Sequence, residues 1–275
     1  MTKAIPPFKT ADGTVLNVDT AGEGQAIIFQ HGLCGDAGQT DEAFPAKPGL
    51  RRITVEARGH GRSQAGPLDS LSIATFTDDV ADYIEQNFPD PVVVGGISMG
   101  AAISLRLAVK RPDLVKGLVI ARPAWVIEAA PANMAPNAKV GRLLKTMPQQ
   151  EARAAFLASA HGRSLADEAP DNLASLEGFF TRVPIEVTAA LLSAIAADGP
   201  GVTEDEVRSL DVPALVIGHK RDLIHPLTHA SALTQMIPGA RLVEITPKAE
   251  SRERYVADFR LALGGFLESL RDDWT

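Results

Sequence analysis

Short continuous apolar runs alternate with amphipathic stretches over most of this chain. Residues 26–30, 52–56, 91–96, 117–120, 212–217 and 241–245 are four to six residues long and rich in Val, Ile and Leu. Runs of that kind predict strands buried on both faces, as in a parallel sheet. The N-terminal run Val15-Leu16-Asn17-Val18-Asp19-Thr20 alternates apolar and polar positions instead, and follows the turn residues Ala11-Asp12-Gly13. It predicts a half-exposed strand within a paired N-terminal segment. Between the runs the period changes. Phe76, Val80, Tyr83 and Ile84 fall at i, i+4, i+7 and i+8, and Tyr255, Phe259, Leu263, Phe266 and Leu270 mark a stripe on a last helix. Residues 99–109 are rich in Ala and Leu and stop before Pro112. Strands that alternate with helices imply right-handed βαβ units and a mostly parallel sheet covered on both faces.

The rhythm breaks between about 124 and 206, where no strand-like run occurs and Ala, Leu and Phe recur at helical spacing around Pro136, Pro148, Pro170 and Pro184. This stretch predicts several short helices inserted between two sheet strands, as a cap or lid. The chain then divides into a core, 1–123 with 207–275, and an insertion, 124–206, with Gly199-Pro200-Gly201 as its exit hinge. Ordinary packing helices are the plainer alternative.

Composition narrows the partners. The 275 residues are 45% hydrophobic and 22% charged, and 34 Asp and Glu against 27 Lys and Arg leave a net charge of −7. With no basic cluster, nucleic acid is not the expected partner, and no apolar run nears the ~18 residues of a membrane helix. The single cysteine, Cys34, excludes an intramolecular disulfide, and residues 1–8 hold no apolar segment of a secretory signal. The expectation is a cytoplasmic globular protein with a small-molecule substrate. No metal-ligand spacing, dinucleotide glycine motif or phosphate loop is present, so no cofactor is expected.

The strongest chemical signal is Gly96-Ile97-Ser98-Met99-Gly100, after an apolar run and before a helical segment. In that setting G-x-S-x-G predicts a strand-to-helix turn that lifts the serine hydroxyl clear of the sheet edge. A second loop, His31-Gly32-Leu33-Cys34-Gly35, follows the run 26–30. The backbone N–H groups of Leu33 and Met99 are the candidate oxyanion donors. His31 and Cys34 are candidates for the pocket wall. His31 reads first as a turn-stabilising side chain, and Cys34 has no evident cation or helix terminus to activate its thiol.

With Arg58-Gly59-His60-Gly61-Arg62-Ser63 after the strand 52–56, and Gly218-His219-Lys220-Arg221-Asp222 after the strand ending at Ile217, the chain resembles the α/β-hydrolase fold family of serine-hydrolase type. The resemblance runs from about residue 8 to 270. It implies a mostly parallel eight-stranded sheet flanked by helices with an inserted helical lid, Ser98 as the nucleophile, Asp222 as the acid of the triad, and a structural role for His60. The family's histidine lies in the loop after the last strand. Here that loop reads Thr246-Pro247-Lys248-Ala249-Glu250-Ser251-Arg252-Glu253, and no histidine follows His229.

A replacement base is therefore sought elsewhere. His225, three residues after Asp222, is the favoured surrogate base or a substrate-orienting donor, the alternative being a loop histidine bonded to backbone. His229 and Lys248 are weaker candidates, the lysine only if burial lowers its pKa. Three functions fit these residues: a hydrolase of small esters, lactones or related carbonyl compounds; a ligand-binding or slow-turnover homologue that kept the pocket; and a cofactor-free lyase or C–C bond-cleaving enzyme. Fold does not choose among them.

Overall fold

The computed structural model describes residues 6–270. The strands are β1 (Phe8–Lys9), β2 (Val15–Leu16), β3 (Val18–Gly22), β4 (Gly24–Gln30), β5 (Gly49–Val55), β6 (Val92–Ile97), β7 (Val115–Ala121), β8 (Ala214–Gly218) and β9 (Arg241–Glu244). The seven from β3 to β9 form one sheet in the order β3-β5-β4-β6-β7-β8-β9. Only β3 runs antiparallel to its neighbour; all other pairings are parallel.

The expected eight-stranded sheet is corrected here to seven strands, among the described residues, with β1 and β2 pairing in a separate two-stranded sheet. Asn17 is the reason. Its backbone N–H donates to the Ser63 hydroxyl and its side-chain amide to Glu56. The alternating run 15–20 is thereby broken into β2 and β3, and only the second half joins the main ladder.

Helices α1 (Ala37–Ala43), α2 (Ile73–Asn87) and α3 (Met99–Lys110) follow β4, β5 and β6. Then come α4 (Ala135–Thr146), α5 (Gln149–Leu157), α6 (Ala160–Glu168), α7 (Pro170–Gly178), α8 (Ile185–Ala196) and α9 (Glu204–Arg208), all between β7 and β8. Helices α10 (Leu227–Met236) and α11 (Arg252–Ser269) complete the chain.

Strand periodicity sorts the core into two faces. Val92, Val94, Leu118, Ile120 and Val216 point to one side with α2, α3 and α10. Val93, Ile97, Val119, Ala121, Leu215 and Ile217 point to the other, against Phe259, Leu263 and Phe266 of α11. Apolar residues of the insertion, among them Trp125, Phe156, Phe180, Leu192 and Ile195, belong to the first cluster.

The ends of the insertion are also tied together. The Trp125 indole donates to the Asp198 carbonyl, and the Asp198 carboxylate accepts from the Ile73 N–H. The expected hinge at 199–201 is held rather than free, because Arg106 Nη1 donates to the carbonyls of Pro200 at 3.0 Å and Gly201 at 3.1 Å.

Candidate active site

The parallel strands β4, β6, β7, β8 and β9 all open their C-terminal ends on one edge of the sheet, the edge where open α/β sheets bind ligands. Ser98 follows β6 directly with φ 57° and ψ −110°, a strained backbone for a residue with a side chain. The flanking glycines are required by close approach. A Cβ on Gly96 would lie 2.5 Å from the backbone of Gly100, and one on Gly100 would lie 2.4 Å from the carbonyl oxygen of Gln30.

Ser98 is buried, and its Oγ stands 2.9 Å from Nε2 of His225. On the other side of the ring, Nδ1 is 3.0 Å from both carboxylate oxygens of Asp222. Asp222 and His225 share the loop between β8 and α10, which is pinned back on itself. The Asp222 Oδ1 accepts the backbone N–H groups of Ile224 at 3.2 Å and His225 at 2.9 Å. Asn172 of α7 braces the same loop by accepting the N–H groups of Leu223 and Ile224.

Nothing in the sequence marks Arg122 as part of the site. It follows β7 with φ 46°, lies buried, and donates from Nε at 3.0 Å and Nη2 at 2.5 Å to Asp222 Oδ2. Its Nη1 reaches the Tyr255 hydroxyl at 3.4 Å, and the guanidinium lies 5.7 Å from the centre of that ring. Nη2 is also 3.2 Å from His225 Nδ1. A carboxylate facing Nδ1 calls for the proton on that nitrogen, which leaves Nε2 bare to accept from the Ser98 hydroxyl. Arg122 then cannot donate to Nδ1, and its contact with the ring is charge against dipole.

The electrostatics follow from these contacts. Burial alone raises the Asp222 carboxyl, but Arg122 and His225 together hold it well below the usual carboxylate range. Burial lowers the His225 pKa; Asp222 raises it and Arg122 lowers it further, leaving the imidazole below its ordinary value. A buried carboxylate already neutralised by a guanidinium favours an adjacent imidazolium less than a free one does.

Leu33, Ile97, Ser98, Arg122, His225 and Lys248 line a cavity of about 100 Å³, with Met134 and Asn137 of the insertion's α4 segment and Asn172, Ser175, Leu176 and Phe179 around α7 closing the opposite wall. Met99 buries its side chain beneath Ser98 at the first position of α3, where a backbone N–H has no intrahelical acceptor. The Leu33 N–H makes no hydrogen bond among the described residues.

His31 and Cys34 are corrections: neither lines this cavity. His31 is buried in the loop itself, with Nδ1 on the Gly32 carbonyl at 2.9 Å and Nε2 accepting from the Ala57 N–H at 3.1 Å. Both ring nitrogens are thus used in holding the turn. Cys34 faces a neighbouring depression with Arg182 and Val183, and burial pushes its thiol up to about 12. His229 sits within α10 away from the cavity, whereas Lys248 does line it. His60 is buried with Nδ1 on the Arg58 carbonyl, in a turn that Arg58 anchors through paired hydrogen bonds to Asp79.

A doubly covered parallel sheet with a serine elbow and an acid loop at its C-terminal edge defines the architecture of an α/β hydrolase. The chain belongs to the alpha/beta hydrolase fold family, whose profile matches residues 25–249. Over 236 residues it is 27% identical to the putative non-heme bromoperoxidase BpoC of Mycobacterium tuberculosis, covering 84% of this chain and 88% of that one. It is 32% identical over 129 residues to the sn-1-specific diacylglycerol lipase ABHD11 of Mus musculus, a match to 46% of this chain that spans only 39% of the lipase. Among solved structures, Est816, described as an N-acyl homoserine lactone degrading enzyme, is 26% identical with a TM-score of 0.69, over 95% of this chain and 100% of that one. Among the described residues no helix is long and apolar enough to cross a membrane, and no cluster of His, Cys, Asp and Glu is arranged to hold a metal.

Proposed function

We propose that this protein hydrolyses small esters or lactones through Ser98, with His225 as general base and Asp222 holding the imidazole in its reactive tautomer. The observation that carries the proposal is the continuous chain of contacts, Ser98 Oγ to His225 Nε2 at 2.9 Å and His225 Nδ1 to Asp222 at 3.0 Å. In this reading the surrogate histidine comes from the acid's own loop instead of the loop after β9.

Ser98 Oγ attacks the substrate carbonyl carbon as its proton passes to His225 Nε2. The N–H groups of Leu33 and Met99 hold the oxyanion that forms. Collapse expels the alcohol, which takes the proton from His225 and leaves an acyl group on Ser98. Water then attacks that ester, with His225 again accepting the proton, and the carboxylic acid departs. The insertion supplies the apolar wall through Met134, Leu176 and Phe179, and the small cavity favours a short acyl group. The lactone and lipid-ester relatives support this substrate class.

Turnover of a short-chain p-nitrophenyl ester tests the assignment. Ser98→Ala should reduce kcat by about 10³-fold or more, and His225→Ala by ~10²–10⁴-fold, with KM changing much less. Undiminished turnover in Ser98→Ala sinks the mechanism.

A further inference from the structure

Two polar groups in the wall of the Ser98 cavity are not used by the mechanism above. Lys248, in the loop after β9, lines the cavity, yet it makes no salt bridge or side-chain hydrogen bond among the described residues. Glu42 and Asp171 act on it only from beyond the 4.0 Å of an ion pair, and Glu42 is already bound by Arg252. Arg122, the other cation lining the cavity, is occupied by Asp222 and Tyr255.

The second group is Asn137 on α4. It is 5% exposed, and its Oδ1 is buried with no hydrogen-bond partner. Leaving a buried amide oxygen unpaired is unfavourable, which marks Asn137 as a polar group that packing alone does not explain. The other end of the amide, Nδ2, makes no hydrogen bond among the described residues and is not enclosed in that way, so it can donate to an acceptor in the cavity. An unspent ammonium and an unspent amide in one small cavity together describe a seat for an anion with two acceptor oxygens.

We propose that the preferred substrates carry a second, ionised carboxylate, seated on Lys248 and Asn137 while Ser98 attacks the ester or lactone carbonyl. This rests on the hydrolytic reading and deepens it, naming short half-esters of dicarboxylic acids and carboxylate-bearing lactones as the substrate class. The lysine stands near the position expected of the family's histidine, and in this chain that loop serves recognition.

The test compares monomethyl succinate with methyl isocaproate, in which an isopropyl group replaces the carboxylate, both followed by proton NMR. The expected wild-type ratio of kcat/KM is at least about tenfold in favour of the anionic ester. That ratio should fall about tenfold in Lys248→Met and below one in Asn137→Asp, whose carboxylate repels the substrate. Residual turnover of the neutral ester reports that each variant is folded. A wild-type ratio of one or less, or a ratio unaltered in Lys248→Met, overturns the proposal. If neither ester turns over, the hydrolytic reading fails on its own, and succinate binding by saturation-transfer NMR still decides on the anion seat. Binding that is lost in Lys248→Met supports the seat, and no binding to the wild type overturns it.

Discussion

The Asp222 carboxylate serves two cationic partners at once, the permanent guanidinium of Arg122 and the transient imidazolium of His225. Because Arg122 has already neutralised much of its charge, His225 is a weaker base than an imidazole facing an unpaired carboxylate. In the proposed mechanism the base acts in its neutral form, so kcat/KM should be full at neutral pH and fall on acidification through the lowered pKa of His225. The midpoint of that limb is expected below the usual histidine value of about 6.5, and a pH profile of kcat/KM reads it directly. Arg122→Gln frees the carboxylate to favour the imidazolium, so the limb should move to higher pH. The same change leaves Asp222 buried without its cation and should cost on the order of 3–5 kcal/mol, read as a lower denaturant midpoint. The elbow pattern marked Ser98 in the sequence, and the resemblance of the loop after β8 to the family's acid loop marked Asp222 and, three residues on, His225 as a candidate. Arg122 and Asn137 were not legible in this way, since nothing about an arginine after a strand or an asparagine in a helix marks what it will face. Only the crossing of β7 with the acid loop, and of α4 with the cavity, gives them their roles. His31 does what its place in the turn suggests: one ring nitrogen meets the Gly32 carbonyl and the other accepts the Ala57 N–H after β5, so neither is left for the cavity.

At the scale of elements, the elbow between β6 and α3 is packed backbone against backbone. Gly100 brings the first turn of α3 against the backbone at the end of β4, and there is no flexible side chain there to yield. Gly100→Ala should therefore lower stability by about 1–3 kcal/mol, with a visible fall in Tm, even though alanine is the better helix former. The apolar runs at 26–30, 52–56, 91–96, 117–120, 212–217 and 241–245 coincide with β4 to β9 to within a few residues. For β4 to β8 burial makes such strands continuous in composition, and that continuity is visible without a fold; β9, at the sheet edge, is half-exposed and was expected to be buried on both faces. The N-terminal strand was harder. Its alternation reads straight through Asn17, and the break comes from hydrogen bonds to Ser63 and Glu56, residues some forty positions later. The Gly-Pro-Gly segment at 199–201 likewise reads as a hinge by composition, whereas its carbonyls accept hydrogen bonds from an arginine of α3.

For the molecule as a whole, the insertion between β7 and β8 shares one apolar cluster with the sheet face beneath it, and its two ends are joined through Trp125 and Asp198. Cap and core are accordingly expected to unfold together, as a single calorimetric transition whose calorimetric and van't Hoff enthalpies agree. Two resolved transitions would show the insertion to be an independent unit. The Cys34 thiol, half-buried and raised to about 12, should react only slowly with iodoacetamide at neutral pH until that transition is passed. In the proposed mechanism an acid loop carrying its own histidine activates Ser98. Intact-mass labelling with a fluorophosphonate tests it most directly, on the wild type, Ser98→Ala and His225→Ala. One rapid adduct is expected on the wild type, none on Ser98→Ala, and labelling slowed by about a hundredfold or more on His225→Ala. A folded wild type that takes no label, or a His225→Ala variant labelled at the wild-type rate, would contradict this mechanism.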